Sequence, residues 1–138
     1  MKIILVSNED GDPQSLSFTI RDPWGRDPND FSIVQKAKEY IYSHFTSRIF
    51  LPDVAAAVNV SEWYLSKLLN KETGKGFSQI VLEARVDLAK EILLQSKRPV
   101  MNDVATAAGF YDAAHFSRDF KKVMGMTPTE WRKHQLEQ

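Results

Sequence analysis

The apolar positions of the chain recur at helical spacing from Phe31 onward. Apolar residues three and four positions apart predict amphipathic helices, and Gly, Pro and Asn signals divide this pattern into successive elements. A first helix begins near Phe31, with Asp30 or Ser32 as its capping residue. The later helices are predicted at residues 51–58, from Ser61 to Gly74, at 78–94, within 101–123, and after Thr127. The predicted fold is all-α.

Two stretches of the chain, residues 55–74 and 105–125, repeat one order of residue types. Each copy begins with small residues, passes through Asn59 or Gly109, and continues into a second helical pattern that ends at a glycine. Small residues let two helices approach closely, and Asn or Gly tolerates the positive φ of a tight turn. The second copy has one additional residue after the turn. The repeat therefore predicts two helix-turn-helix units, which are of the homeodomain-like kind and lie at about 51–72 and 101–123.

The second helix of each unit has an apolar side and a polar side. In the first copy, the side opposite the leucines carries Trp63, Ser66, Lys67 and Asn70; in the second copy, it carries His115, Arg118 and Lys122. Cationic and hydrogen-bonding side chains on an exposed helix suit the base edges and phosphates of DNA. Two such faces predict contact with two DNA grooves.

The predicted helix 78–94 connects the two units. Its seventeen residues would span about 25 Å. With its packed flanks, a helix of that length can hold two recognition helices near the ~34 Å repeat of successive major grooves.

Three segments resemble the AraC/XylS family of bacterial transcription regulators, and the resemblance covers about residues 33–133. They are YLSKLLNKETG (64–74), ARVDLAKEIL (84–93) and GFYDAAHFSRDFKKVMGMTPTEWR (109–132). The resemblance implies a domain, at residues 31–138, that binds double-stranded DNA sequence-specifically through two recognition helices. The positions that match the family's DNA-contacting positions are Trp63, Ser66 and Lys67 in the first helix and Ala113, Ala114, His115 and Arg118 in the second. In this comparison Tyr111 replaces the usual small capping residue.

Composition places limits on other functions. The 138 residues suffice for one ordinary domain, and the absence of cysteine fits a cytoplasmic protein. No segment has the length and hydropathy of a membrane span. His44, His115 and His134 fall on separate helices, so neither a metal site nor a cofactor is expected, and no catalytic constellation is evident. We therefore expect a protein that is not an enzyme.

Charge leaves more than one function open. The net charge is zero, but residues 1–30 hold three basic and six acidic residues, whereas residues 31–138 hold fifteen and twelve. Such a small surplus disfavours a nonspecific DNA-coating protein. The alternative to DNA recognition is an interaction module that docks to RNA polymerase or to another regulator.

Residues 1–30 differ from the rest. Strand composition at 2–6 and 15–20, with turn residues between, predicts a hairpin, and residues 21–30 resemble a linker. The segment could also be the remnant of a larger sensor domain, and its apolar strand followed by acids resembles the opening of a receiver domain. We expect this chain to act as a monomer, or as a dimer if it belongs to a longer protein.

Overall fold

The computed structural model describes residues 28–137, and that range folds into seven α-helices with no strand. The predicted hairpin and most of the predicted linker lie outside the described residues. The helices are α1 (Pro28–His44), α2 (Leu51–Ala57), α3 (Glu62–Thr73), α4 (Phe77–Gln95), α5 (Met101–Ala108), α6 (Ala113–Met124) and α7 (Pro128–Leu136). The predicted all-α class is confirmed for this range.

Helix α1 begins at Pro28, three residues before the predicted start. Proline is favoured in the first helical turn because its missing N–H would have no partner there. The prediction that Asp30 or Ser32 caps the helix is therefore wrong, since both lie inside it. Asp30 is instead buried, and its carboxylate accepts a hydrogen bond from the Tyr64 hydroxyl at 2.6 Å and lies 3.7 Å from the Lys71 ammonium. Asp30 thereby ties α1 to α3.

The first unit contains α1, α2, α3 and the start of α4, which pack around one apolar core. Helix α1 contacts both α2 and α3, and so supports the helix-turn-helix formed by those two. The buried side chains of this core come from all four helices and include Ile41, Val54, Leu65, Leu69 and Ile80.

The second unit contains the rest of α4 with α5, α6 and α7. Its core has a chain of aromatic rings: Phe116 meets Phe120 edge-to-face at 5.7 Å, and Phe120 meets Trp131 at 5.8 Å. Trp131 thereby anchors α7 to the core. Helix α7 begins with a capping box, in which Thr127 and Glu130 exchange hydrogen bonds.

Helix α4 joins the units and contributes to both cores. Its 19 residues are one more at each end than predicted, and they span about 28 Å. Ile80 and Val81 enter the first core, whereas Val86, Ala89 and Leu93 enter the second. The carbonyls at its carboxyl end are satisfied by Arg132 of α7, which donates to Leu93 O and Ser96 O, each at 2.8 Å.

The turns of the two helix-turn-helix motifs have the same backbone geometry. Asn59 has φ 61° and Gly109 has φ 95°, so both occupy the left-handed region that the sequence predicted. The next residue closes each turn in the same way, because Val60 N–H donates to Ala55 O at 3.0 Å and Phe110 N–H donates to Ala105 O at 2.8 Å. This pattern satisfies carbonyls at a helix end. The internal repeat of the sequence is therefore a repeat of structure.

Candidate DNA-binding surface

Helix α3 is oriented by its cap and by its leucines. The Ser61 hydroxyl accepts a hydrogen bond from Tyr64 N–H at 3.1 Å, which starts the helix where the sequence predicted. Leu65, Leu68 and Leu69 are buried in the first core. Their burial turns the opposite side of α3 to solvent.

The exposed side of α3 carries the four predicted residues. Trp63 is 69% exposed, so this tryptophan lies on the surface and is not packed in the core. The Lys67 ammonium lies 5.1 Å from the centre of that ring, and Asn70 donates to Ser66 O at 2.9 Å. An exposed cation–π contact is worth about 0.5–1 kcal/mol, less than the about 1–3 kcal/mol of a bidentate base contact. Lys67 can therefore leave the indole for a base.

Helix α6 is held by two phenylalanines and an aspartate. Phe116 and Phe120 are fully buried, and the Asp112 carboxylate accepts a hydrogen bond from His115 N–H at 2.8 Å as the amino-terminal cap. The interpretation of Tyr111 as the cap is therefore wrong. Because Phe110 occupies the place of Val60 and Asp112 that of Ser61, Tyr111 is the additional residue of the second copy.

Three side chains meet at the start of α6. Asp112 Oδ1 lies 2.8 Å from His115 Nδ1, and the rings of Tyr111 and His115 pack edge-to-face at 5.3 Å. The backbone N–H of His115, with its ring as a second donor, lowers the pKa of Asp112. An ionised Asp112 makes Nδ1 the protonated ring nitrogen, which leaves Nε2 for an outside partner.

The other exposed side chains of α6 are small at the start of the helix and basic further along it. Ala113 is half-buried and Ala114 is exposed, and they offer only methyl groups. Arg118 and Lys122, one and two turns further along, are exposed, and neither forms an ion pair within residues 28–137. The structure thus places the predicted residues of the second helix on the accessible surface of α6.

The sequence did not single out Tyr111 as a contact residue. Tyr111 is 84% exposed and lies beside His115. The signal that could have found it was the one-residue insertion in the second copy, because an extra residue in a tight turn must project outward.

Other kinds of site are less well supported in the described range. No three His, Asp or Glu side chains there converge on a common point that could hold a metal ion. Within the same residues, every helix is too short or too polar to cross a bilayer.

Known proteins share this sequence and fold. A family model described as a helix-turn-helix domain matches residues 54–134, more than half of the chain. The regulatory protein PocR of Salmonella typhimurium is 34% identical over 108 residues, which are 78% of this chain. The chain is also similar to a solved transcriptional regulator of Chromobacterium violaceum, which is described as containing an AraC-type DNA-binding domain. The two superpose with a TM-score of 0.70 at 25% sequence identity, and the match covers 76% of this chain and 93% of that one. The chain belongs to the AraC/XylS family.

A further solved structure supports this membership. The carboxyl-terminal domain of AraT, a response regulator from Geobacillus stearothermophilus, is 35% identical with a TM-score of 0.69, covering 74% of this chain and 84% of that domain. The chain spans only 35% of PocR's length. This AraC/XylS chain carries the helix-turn-helix DNA-binding domain of this family of transcription regulators. The alternative, an interaction module that docks to RNA polymerase or to another regulator, is not favoured.

Proposed function

We propose that this chain regulates transcription by binding a two-block site in duplex DNA, with α3 in one major groove and α6 in the next. The observation that carries the proposal is the duplicated surface. Helices α3 and α6 each have an exposed face and pack on a separate core, and α4 connects the two units. Recognition helices enter the major groove, and successive major grooves on one side of DNA lie about 34 Å apart.

Helix α3 is proposed as the stronger reader of bases. Lys67 can donate to guanine O6 and N7, and Ser66 and Asn70 supply smaller hydrogen-bonding groups along the same side. The exposed indole of Trp63 can contact a thymine methyl group or the sugar edge. These side chains differ in chemistry, so they can discriminate several base pairs.

Helix α6 is proposed to read fewer bases. Arg118 is the residue suited to a bidentate guanine contact, and His115 can use Nε2. Ala113 and Ala114 contribute only methyl contacts, for example to thymine. Lys122, at the end of the helix, is placed for a phosphate, which positions the protein without reading sequence.

The cellular setting is also proposed. We place the protein in the cytoplasm, where a cysteine-free chain whose ligand is genomic DNA would act. It would bind as a monomer, because one chain already presents both recognition helices. RNA polymerase is the further partner through which a bound regulator would change transcription.

The test is enrichment of binding sites from a pool of random duplexes by the full chain. We expect a recovered site with two conserved blocks whose centres are about 10–10.5 base pairs apart, one helical turn. Retention of duplexes without any enriched sequence would contradict base reading. A site with one block only would contradict the use of both helices.

A further inference from the structure

A half-buried arginine, Arg85, links α4 to the segment between α1 and α2. Arg85 Nε donates to Phe45 O at 2.7 Å, and its Nη2 donates to Ser47 O at 3.0 Å. These carbonyls lie 40 and 38 residues away along the chain. Arg85 thus holds the segment that leads into α2, the first helix of the first helix-turn-helix.

The turn of the second helix-turn-helix meets the same segment. A Cβ placed on Gly109 would lie 2.8 Å from both Phe45 O and Thr46 Cα, and 3.1 Å from Arg85 Nε. The turn between α5 and α6 therefore contacts the α1–α2 segment with no space for a side chain. We call the contact of residues 45–47 with Arg85 and Gly109 the junction.

Through the contact of Gly109 with residues 45 and 46, the junction connects the two units at a second place besides α4. One unit contributes the entry to α2, and the other contributes the turn that leads into α6. A single helix fixes the distance between two units better than it fixes their rotation about the helix axis. A second contact away from that axis restrains the rotation.

The chemistry of Arg85 fits a role in geometry. Burial lowers the pKa of its guanidinium, an effect partly countered by the charge of Asp119. Desolvating a charged group costs free energy, and here the described partners are backbone carbonyls, which compensate only when they are correctly placed. The forked donors of arginine therefore make the position of residues 45–47 specific.

On the basis of the two-groove binding proposed above, we propose that Arg85 and Gly109 are positioning residues that set the distance and rotation between α3 and α6. The junction would then determine which spacing between the two DNA blocks the protein accepts. One added base pair moves a block by about 3.4 Å and rotates it by about 35°. A rigid junction should reject that change, whereas a loosened one should tolerate it.

The test compares Arg85→Gln with Arg132→Gln. Both arginines donate to backbone carbonyls, but Arg132 does so within the second unit. Affinity of the full chain is measured for the enriched site and for versions with one base pair added or removed between the blocks. The wild-type protein should prefer its own spacing by about tenfold or more, because a misplaced block loses base contacts.

Arg85→Gln should reduce that preference to about threefold or less, whereas Arg132→Gln should keep it despite any loss of stability. Arg85→Lys, which retains a cationic donor, should give an intermediate preference. An unchanged preference in Arg85→Gln would overturn the proposal, however much absolute affinity falls. So would an equal loss of preference in Arg132→Gln, because the effect would then follow from general destabilisation.

A measurement without DNA separates this proposal from the proposed function. The chain has no cysteine, so spin labels can be attached to Glu62→Cys on α3 and Lys121→Cys on α6, both exposed. We expect a narrow distance distribution that broadens in Arg85→Gln and stays narrow in Arg132→Gln. If enrichment fails but the distribution broadens, the proposed function is wrong and the junction still positions the helices. A distribution unchanged by Arg85→Gln overturns the positioning role.

Discussion

Substitution of Gly109 by alanine tests the close backbone contact at the junction. Two separate effects should destabilise the variant. Gly109 has φ 95°, which an L side chain rarely adopts, and the new Cβ would lie 2.8 Å from two backbone atoms of residues 45 and 46. Backbone atoms cannot move aside as the end of a flexible side chain can, so the α1–α2 segment or the α5–α6 turn must shift.

The magnitude follows from the two effects. A non-glycine residue at positive φ costs about 1–2 kcal/mol. Forcing an extra carbon into a packed site costs about 1–3 kcal/mol more. Alanine also lowers the conformational entropy of the unfolded chain, which stabilises the folded state by about 0.4–1 kcal/mol. Gly109→Ala should therefore lower the free energy of unfolding by about 2–4 kcal/mol.

A matched control separates strain from overlap. Gly125, at the end of α6, has φ 81°, and nothing lies within 4 Å of a Cβ placed there. Gly125→Ala thus shares the backbone strain and the unfolded-state effect but has no steric overlap. Thermal unfolding followed by circular dichroism should give a midpoint for Gly109→Ala that is lower than the control's by about 4–12 °C. Equal midpoints for the two variants would refute the close contact at the junction.

Three further outcomes are expected. Lys67→Ala should relax base preference in one block of the enriched site, and Arg118→Ala should relax it in the other, each by about 1–3 kcal/mol at a guanine. If Arg118→Ala instead weakens binding to all sequences equally, Arg118 contacts a phosphate. Affinity should fall with salt by about 0.9 log units per phosphate contact for each log unit of salt, and a flat titration would contradict phosphate binding. Hydrogen bonds from the Thr127 backbone N–H and, second, from its hydroxyl lower the pKa of Glu130. The capping box should therefore stabilise the fold fully above the pKa of an unperturbed glutamate, about 4.3. That stabilisation should be lost as the pH falls through the lowered pKa of Glu130. Glu130→Gln should therefore show a weaker loss of melting midpoint on acidification than the wild-type chain, and parallel curves would contradict this.

Features set by local chemistry could be predicted from the sequence. Asn59 and Gly109 adopt positive φ, and Ser61 and Thr127 cap their helices, because these preferences depend on a few neighbouring residues. The helical period also separated buried from exposed faces. For this reason the sequence pattern predicts the exposed position of Trp63 on α3.

Features set by contacts between distant residues could not be predicted. Arg85 lies on a mostly apolar helix, where a charged residue is usually solvated, and no local signal distinguishes it from such a residue. Its acceptors lie about 40 residues away and come close only when both units have folded. The start of α1 differs from the predicted one for a similar reason. Asp30 looked like a cap, but its partners Tyr64 and Lys71 are on α3.

The zero net charge of the chain is consistent with DNA binding once the internal ion pairs are considered. Lys71 lies near Asp30, and Lys75 donates to Glu83 at 2.6 Å, so these lysines offset acidic groups of the fold. On α6, in contrast, Arg118 and Lys122 are exposed without an ion pair in the described range. Helix α3 has the more varied hydrogen-bonding surface and α6 the more cationic one. Because phosphate contact depends on charge and base discrimination on varied donors and acceptors, the two helices should contribute unequally, with α6 supplying more of the affinity and α3 more of the specificity.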